Sequence, residues 1–318
     1  MKKTGGQKSR RITLRILPAL LVLALILTAC GAPATATEVI PETGVTEAPA
    51  ATEAPTTAAP TEPAVDLPDT IKVGAVVPLT GAFAAGGEQI KNGYELAVED
   101  INNAGGVDVG GTMVPIELIM LDDESDPTKT VQRLETLYAD EEVVAYLGGF
   151  GSSLHIAAAG IAEKNKVPYL GVAFAVQAPH NQGFQYLFSP FPKSPALAVA
   201  TFDMLDSLDP KPTRIAILAE STDWGAELSG LWKEEAAARG YEIVADEQYA
   251  PASQDFSANI LAAKDAQAEV VLALPIPPDG LGIARQMKEL DFNPGVAMFI
   301  RAADSLAWGV CGSASRRS

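Results

Sequence analysis

Apolar and polar positions alternate between two periods along most of the chain beyond residue 69. Ile71–Pro78 is an almost unbroken apolar run, the pattern of a strand buried on both faces. It breaks at Leu79-Thr80-Gly81, after which Ile90, Tyr94, Ala97, Val98 and Ile101 recur at helical spacing. Gly105-Gly106 stands where such a helix should stop. A short ribbon turning at Gly110-Gly111 leads into a strand over Pro115–Leu121. Asp126 is placed to cap a helix striped by Val131, Leu134, Leu137 and Tyr138. A strand over Val143–Leu147, a helix over His155–Lys164 and a strand over Pro168–Val172 follow.

The second half repeats the alternation. Leu197, Thr201, Met204 and Leu208 mark a helix, then Arg214–Ala219 a strand; Leu228, Leu231 and Trp232 mark a helix, then Glu242–Ala245 a strand. Asp255 caps a helix through Ile260, and a strand Glu269–Leu274, a helix Gly280–Leu290 and a strand Ala297–Ile300 complete the series. Apolar strands alternating with helices predict an α/β fold of two doubly wound parallel-sheet lobes with a ligand cleft between them. The two series join near Ser189–Pro195, so the first lobe is expected over 69–190 and the second over 191–305, with an atypical tail over 306–318.

In such sheets ligands sit at the carboxyl ends of the strands. Leu147–Ser153 reads Leu-Gly-Gly-Phe-Gly-Ser-Ser and joins a strand to a helix. Backbone N–H groups converging at a helix N-terminus suit a small anion, glycines allow close approach to the backbone, and Ser152 and Ser153 add hydroxyls. An ordinary strand-to-helix turn with a serine cap is the competing reading. Phe83, Phe150, Phe174 and Trp224 also stand on strand-end loops; taken singly each reads more readily as core than as ligand contact, and only as a set are the two readings balanced.

Charge and composition change the picture at the N-terminus. Lys2, Lys3, Lys8, Arg10, Arg11 and Arg15 precede the apolar run Ile16–Leu27, which ends in Leu27-Thr28-Ala29-Cys30. The run is short for a bilayer span, and the arrangement resembles a lipoprotein signal over 1–29, which implies cleavage before Cys30 and a lipid on its sulfur. Loss of those six cations would take the formal charge from −17 to −23. So acidic a surface argues against nucleic-acid or anionic-lipid partners. Residues 30–68 are almost all Ala, Thr, Pro, Glu and Val, the composition of an extended tether that cannot bury a core. With Cys30 claimed by lipid, Cys311 is left without a partner and no disulfide framework is available.

Other chemistry finds little support. A hydrolase would pair Ser152 or Ser153 with His155 or His180, but the spacing is not that of a nucleophile elbow, and His155 is expected to be exposed early in its helix. Asp122, Asp123, Glu124 and Asp126 lack EF-hand spacing, and neither glycine pair is followed by Gly-Lys-Ser/Thr. No catalytic residue, cofactor or metal is therefore expected.

Val77-Pro78-Leu79-Thr80-Gly81, Val98-Glu99-Asp100-Ile101-Asn102 with Gly105-Gly106-Val107, Leu121-Asp122-Asp123 with Asp126-Pro127, Gly148 with Gly151-Ser152-Ser153, and Trp224-Gly225 together resemble one family. It is the Leu/Ile/Val-binding type of extracytoplasmic solute receptor that feeds ABC transporters, and the likeness runs in order from about Ile71 to about Leu306. The resemblance implies a lipid-anchored receptor that closes two lobes around an amino acid, branched-chain types first, and delivers it to a membrane permease. A sensor of amides or short peptides is the alternative use of the same fold. It places the ligand carboxylate on Ser152 and backbone N–H groups, a second loop on Ala173-Phe174-Ala175, an aromatic cover on Trp224, and the partner of the ammonium near Asp304. Two departures stand out. Ala175 stands where the family often has threonine, and Pro275–Asp279 differs from the family's aromatic loop. From about Trp308 the chain ends in a short basic stretch without a helical stripe, where the family chain continues, so a truncated or frameshifted product is expected.

Overall fold

The structure, a computed structural model, describes residues 67–302 and 308. The leader, the tether, Cys30, Asp304 and Cys311 lie outside the described residues.

The first sheet is wholly parallel. Its strands are β1 (Ile71–Val77), β4 (Ile116–Asp122), β5 (Ala145–Leu147), β6 (Tyr169–Leu170) and β7 (Leu187–Phe188), in the order β4-β1-β5-β6-β7. Helices α1 (Ala84–Asn103), α2 (Pro127–Ala139) and α3 (Ser152–Asn165) supply the crossovers. The predicted ribbon is a hairpin of β2 (Val107–Val109) and β3 (Thr112–Val114). At the end of α1, Gly105 and Gly106 have φ of +106° and +104°, conformations that a residue with a Cβ adopts only with strain. Asp126 accepts from Thr128 N at 2.7 Å, and Pro127 opens α2 with its φ already set for a helix. The rest of that acidic run is spent on turn geometry. Asp122 accepts from Leu79 N, Thr80 N and Glu124 N, while Asp123 accepts from Ser125 N and the Thr130 hydroxyl.

The second sheet is also parallel, in the order β11-β10-β8-β9, with β8 at Arg214–Glu220, β9 at Glu242–Tyr249, β10 at Val270–Ala273 and β11 at Val296–Phe299. Its helices are α4 (Ser194–Asp206), α5 (Asp223–Arg239), α6 (Ser257–Asp265) and α7 (Pro277–Glu289). Side chains alternate across β8. Ile215 and Ile217 join Phe202, Leu205 and Trp232 on one face, and Ala216 and Leu218 join Ile260, Ile283 and Met287 on the other. Each large side chain fully buried in this way contributes about 1.5–3 kcal/mol.

The strand expected over Pro168–Val172 shrinks to Tyr169–Leu170, and two elements escape the sequence pattern: β7 and a 3-10 turn at Ala178–Gln182. Helix α7 opens three residues earlier than expected, because Pro277 and Pro278 fill its first turn, where their missing N–H groups cost nothing. Among the described residues no helix is long and apolar enough to cross a membrane.

Candidate functional site

The carboxyl ends of both sheets face a cavity of about 270 Å³. The first lobe walls it with Phe150, Ser152 and the loop Val172–Ala175, and the second with Trp224, Pro277, Ile300 and Arg301. Gly86, Gln89 and Ile90 of α1 and Phe191 of the crossover complete the described lining.

Ser152 lies in the first turn of α3, buried, beside helix N–H groups that lack intrahelical partners. The glycines before it serve a different purpose from the one read in the sequence. A Cβ at Gly148 would meet the Tyr169 hydroxyl at 2.5 Å and His155 Nε2 at 2.7 Å, and one at Gly149 would meet the Val76 carbonyl oxygen at 2.8 Å. The chain itself occupies the space a ligand would need. Only Gly151, with φ of +107°, answers a backbone demand, turning the chain from β5 into α3.

His155 corrects a second expectation, since it is 0% exposed. Its Nδ1–H donates to the Gly151 carbonyl at 2.7 Å, and its ring stacks on Phe174 with centroids 4.5 Å apart. Burial holds its pKa down at about 4, so the ring is neutral and Nε2 is left buried without a partner. A stacked imidazole bonded to a backbone carbonyl gives neither serine a base. Phe174 continues the stack onto His180, with centroids 5.3 Å apart, and the Lys193 ammonium sits 4.0 Å above its ring. Lys193 also donates to the Phe174 carbonyl and to Ser189 Oγ, and burial lowers its pKa to about 8.

Of the residues singled out from the sequence, Ser152, Ala173, Phe174, Ala175 and Trp224 come together on the cavity wall. Ser153 and Phe83 do not. Ser153 is only half-buried on α3, away from the lining, while Phe83 packs with Leu154 and Ile276 behind Phe150. Ala175 is held by its carbonyl, which accepts from both the N–H and the hydroxyl of Ser194 at the start of α4.

Sequence reasoning missed the site's one charged side chain among the described lining residues. Arg301 follows β11 with φ of +76° and is 11% exposed. Its guanidinium lies 4.7 Å from the centre of Trp224 and 5.3 Å from that of Phe150. Its Nη2 donates to Glu220, at the end of β8, and its Nε donates to the Pro275 carbonyl at 3.3 Å. Glu220 is 2% exposed and accepts from the Thr222 hydroxyl through its other oxygen. The rule that ligands gather at strand carboxyl ends points to Arg301 as well as to Ser152; the resemblance points to the same segment after the last strand, but to Asp304 rather than to the arginine before it.

Comparison with known proteins follows the same lines. The family model described as periplasmic binding protein matches residues 70–310. The Leu/Ile/Val-binding protein homolog 8 of Brucella abortus (strain 2308) is 29% identical over 231 residues, covering 70% of this chain and 56% of the relative. The chain thus spans little more than half the length of that protein. Among solved structures, the leucine binding protein LivK from Thermotoga maritima MSB8 superposes with a TM-score of 0.65 at 22% identity, over 74% of this chain and 65% of the other. A solute binding protein of an ABC transporter from Rhodopseudomonas palustris BisB5, solved in complex with 3,4-dihydroxy benzoic acid, gives 0.64 at 25% identity, over 73% and 62%. With its two parallel sheets, its cleft at their carboxyl ends and a family match across the folded part, the chain belongs to the periplasmic binding protein family.

Proposed function

We propose that the protein is an extracytoplasmic solute receptor that captures a small carboxylate-bearing solute between its lobes and hands it to the permease of an ABC transporter. The observation that carries this is the cavity itself, walled by strand-end loops of both sheets. A solute touching Ser152 on one side and Trp224 and Ile300 on the other favours the closed arrangement by the difference in its contacts, and a permease that recognises this arrangement is thereby told of the cargo. The chain passes from one lobe to the other near residue 190, and lipid on Cys30 with the 30–68 tether would hold the receptor beside its permease.

Branched-chain amino acids are the first solute class to test. The sequence resemblance and the names of the Brucella and Thermotoga proteins support them, and the apolar lining suits an aliphatic side chain. A melting experiment on the purified chain with L-leucine, L-isoleucine, L-valine and simple carboxylates decides the matter. A solute bound only by the folded state raises the midpoint as its concentration rises. A sharp melt that no carboxylate moves would overturn the receptor reading.

A further inference from the structure

We propose that Arg301 is the anchor for the solute's carboxylate, and that the cavity selects acids without an ammonium group over α-amino acids. The inference rests on the receptor reading and narrows its substrate class.

The argument begins with the geometry of the guanidinium. Trp224 and Phe150 lie within cation–π distance of it, so it is flanked by aromatic rings and its planar edge is the part that remains for an anion. A guanidinium has five N–H donors in its plane. Among the described residues one is spent on Pro275 O and one on Glu220, which leaves Nη1 and part of Nη2 without a protein acceptor. Nη donors on that edge fit a carboxylate bound through both oxygens. The indole N–H of Trp224, another lining residue, is also buried without a partner.

The second step concerns what an ammonium would find. No Asp or Glu is among the described residues that line the cavity. Glu220 has both oxygens occupied, by Arg301 and by the Thr222 hydroxyl. Asp279 lies apart, on a separate pocket with Ala252, from whose N–H it accepts a hydrogen bond. Among the described residues, the cation of a zwitterion would therefore meet no carboxylate except Glu220, which the guanidinium already takes. Buried like charges without a free counter-charge are costly, whereas an acid with an apolar body meets Phe150, Phe174 and Trp224 without that cost.

Calorimetric titration of the purified chain with four probes tests this: 4-methylpentanoate (leucine without its ammonium), benzoate, L-leucine, and 3-methylbutylamine (leucine without its carboxylate). At least one of the two acids is expected to bind ten-fold or more tightly than leucine, with the amine silent. Arg301→Gln should weaken the acid at least ten-fold, and Arg301→Lys, which keeps the charge but not the fork, should recover only part of the loss. Melting curves of both variants separate lost binding from lost folding. Leucine binding as tightly as the acids would overturn the inference and leave the receptor reading intact. Acid affinity unchanged in well-folded Arg301→Gln would overturn Arg301 as the anchor. No heat from any probe, with a sharp melt unmoved, would count against both the inference and the reading beneath it.

Discussion

The two sheets are built on the same plan but are not equally enclosed. The second carries an apolar cluster on each face, one beneath α4 and α5 and one beneath α6 and α7. From Ile215 onward every residue of β8 is buried, as is all of β10. The first sheet has one large cluster, between its strands and α2 and α3. No residue of β4 is fully buried, and of the twenty residues of α1 only Gly86 and Gly87 are, while Leu96 stands 59% exposed. Parallel strands owe their stability to cover on both faces, so the same topology yields two lobes of unequal resistance to opening.

The sharpest way to break that comparison is to remove a core side chain from the better-covered lobe. Phe202→Ala should cost about 3–5 kcal/mol, seen as a large fall in the denaturation midpoint, whereas Leu96→Ala on α1 should change it by less than about 0.5 kcal/mol. Equal effects would mean that the exposed face of α1 is covered in solution. Amide exchange checks the same point without mutation, since the amides of β8 and β10 should outlast those of β4.

Next in size is the contribution of His155, in the first lobe, to the acid limb of stability. Its folded pKa of about 4 lies below the ordinary value of about 6.5, so protons bind the unfolded chain more readily. The stability of the neutral, stacked ring is fully present above pH 6.5 and is lost as pH falls toward 4, by at most about 3 kcal/mol. Asp123 and Asp279 oppose this: burial raises both to about 6, so their protonation favours the fold as pH drops through the same window. In His155→Asn the histidine contribution vanishes, and the stability gap between parent and variant should narrow between pH 7 and 4.5. A gap independent of pH would show that His155 is not buried as a neutral ring.

The smallest effect sharpens the comparison at one helix start. The Thr222 hydroxyl accepts from Gly225 N at 3.1 Å and donates to Glu220, so Thr222→Ala should cost about 1–2 kcal/mol. It should also loosen the pair that Glu220 makes with Arg301, which a melt in the presence of a bound acid would report as a smaller ligand-induced rise.

Periodicity made most of the fold legible. The strands of both sheets and the helices between them carry long apolar runs or stripes, and helix ends such as Asp126 and Gly105-Gly106 announce themselves by residue type. β7 did not, because two residues leave no period to read, and the start of α7 is hidden because its first two residues are prolines, which carry a loop signal as readily as a helix start. In the site, the loop from Gly148 to Ser152 was found, but the reason for its glycines was not. Whether a missing Cβ makes room for a ligand or for Tyr169 and His155 depends on neighbours distant in sequence. Arg301 was overlooked for a related reason, since one arginine after a strand looks like solvent-facing charge until its aromatic neighbours are known.

Those neighbours have an optical consequence. Phe150 belongs to the first lobe and Trp224 to the second, and the Arg301 guanidinium touches both rings. Any separation of the lobes must withdraw Phe150 from the guanidinium and admit water beside the indole. Indole emission moves to longer wavelength when its surroundings become wet, so the protein carries its own unlabelled gauge of opening. Trp224→Phe would silence that gauge and leave as background the emission of Trp232, sealed in the second lobe's core, and of Trp308 beside Phe299.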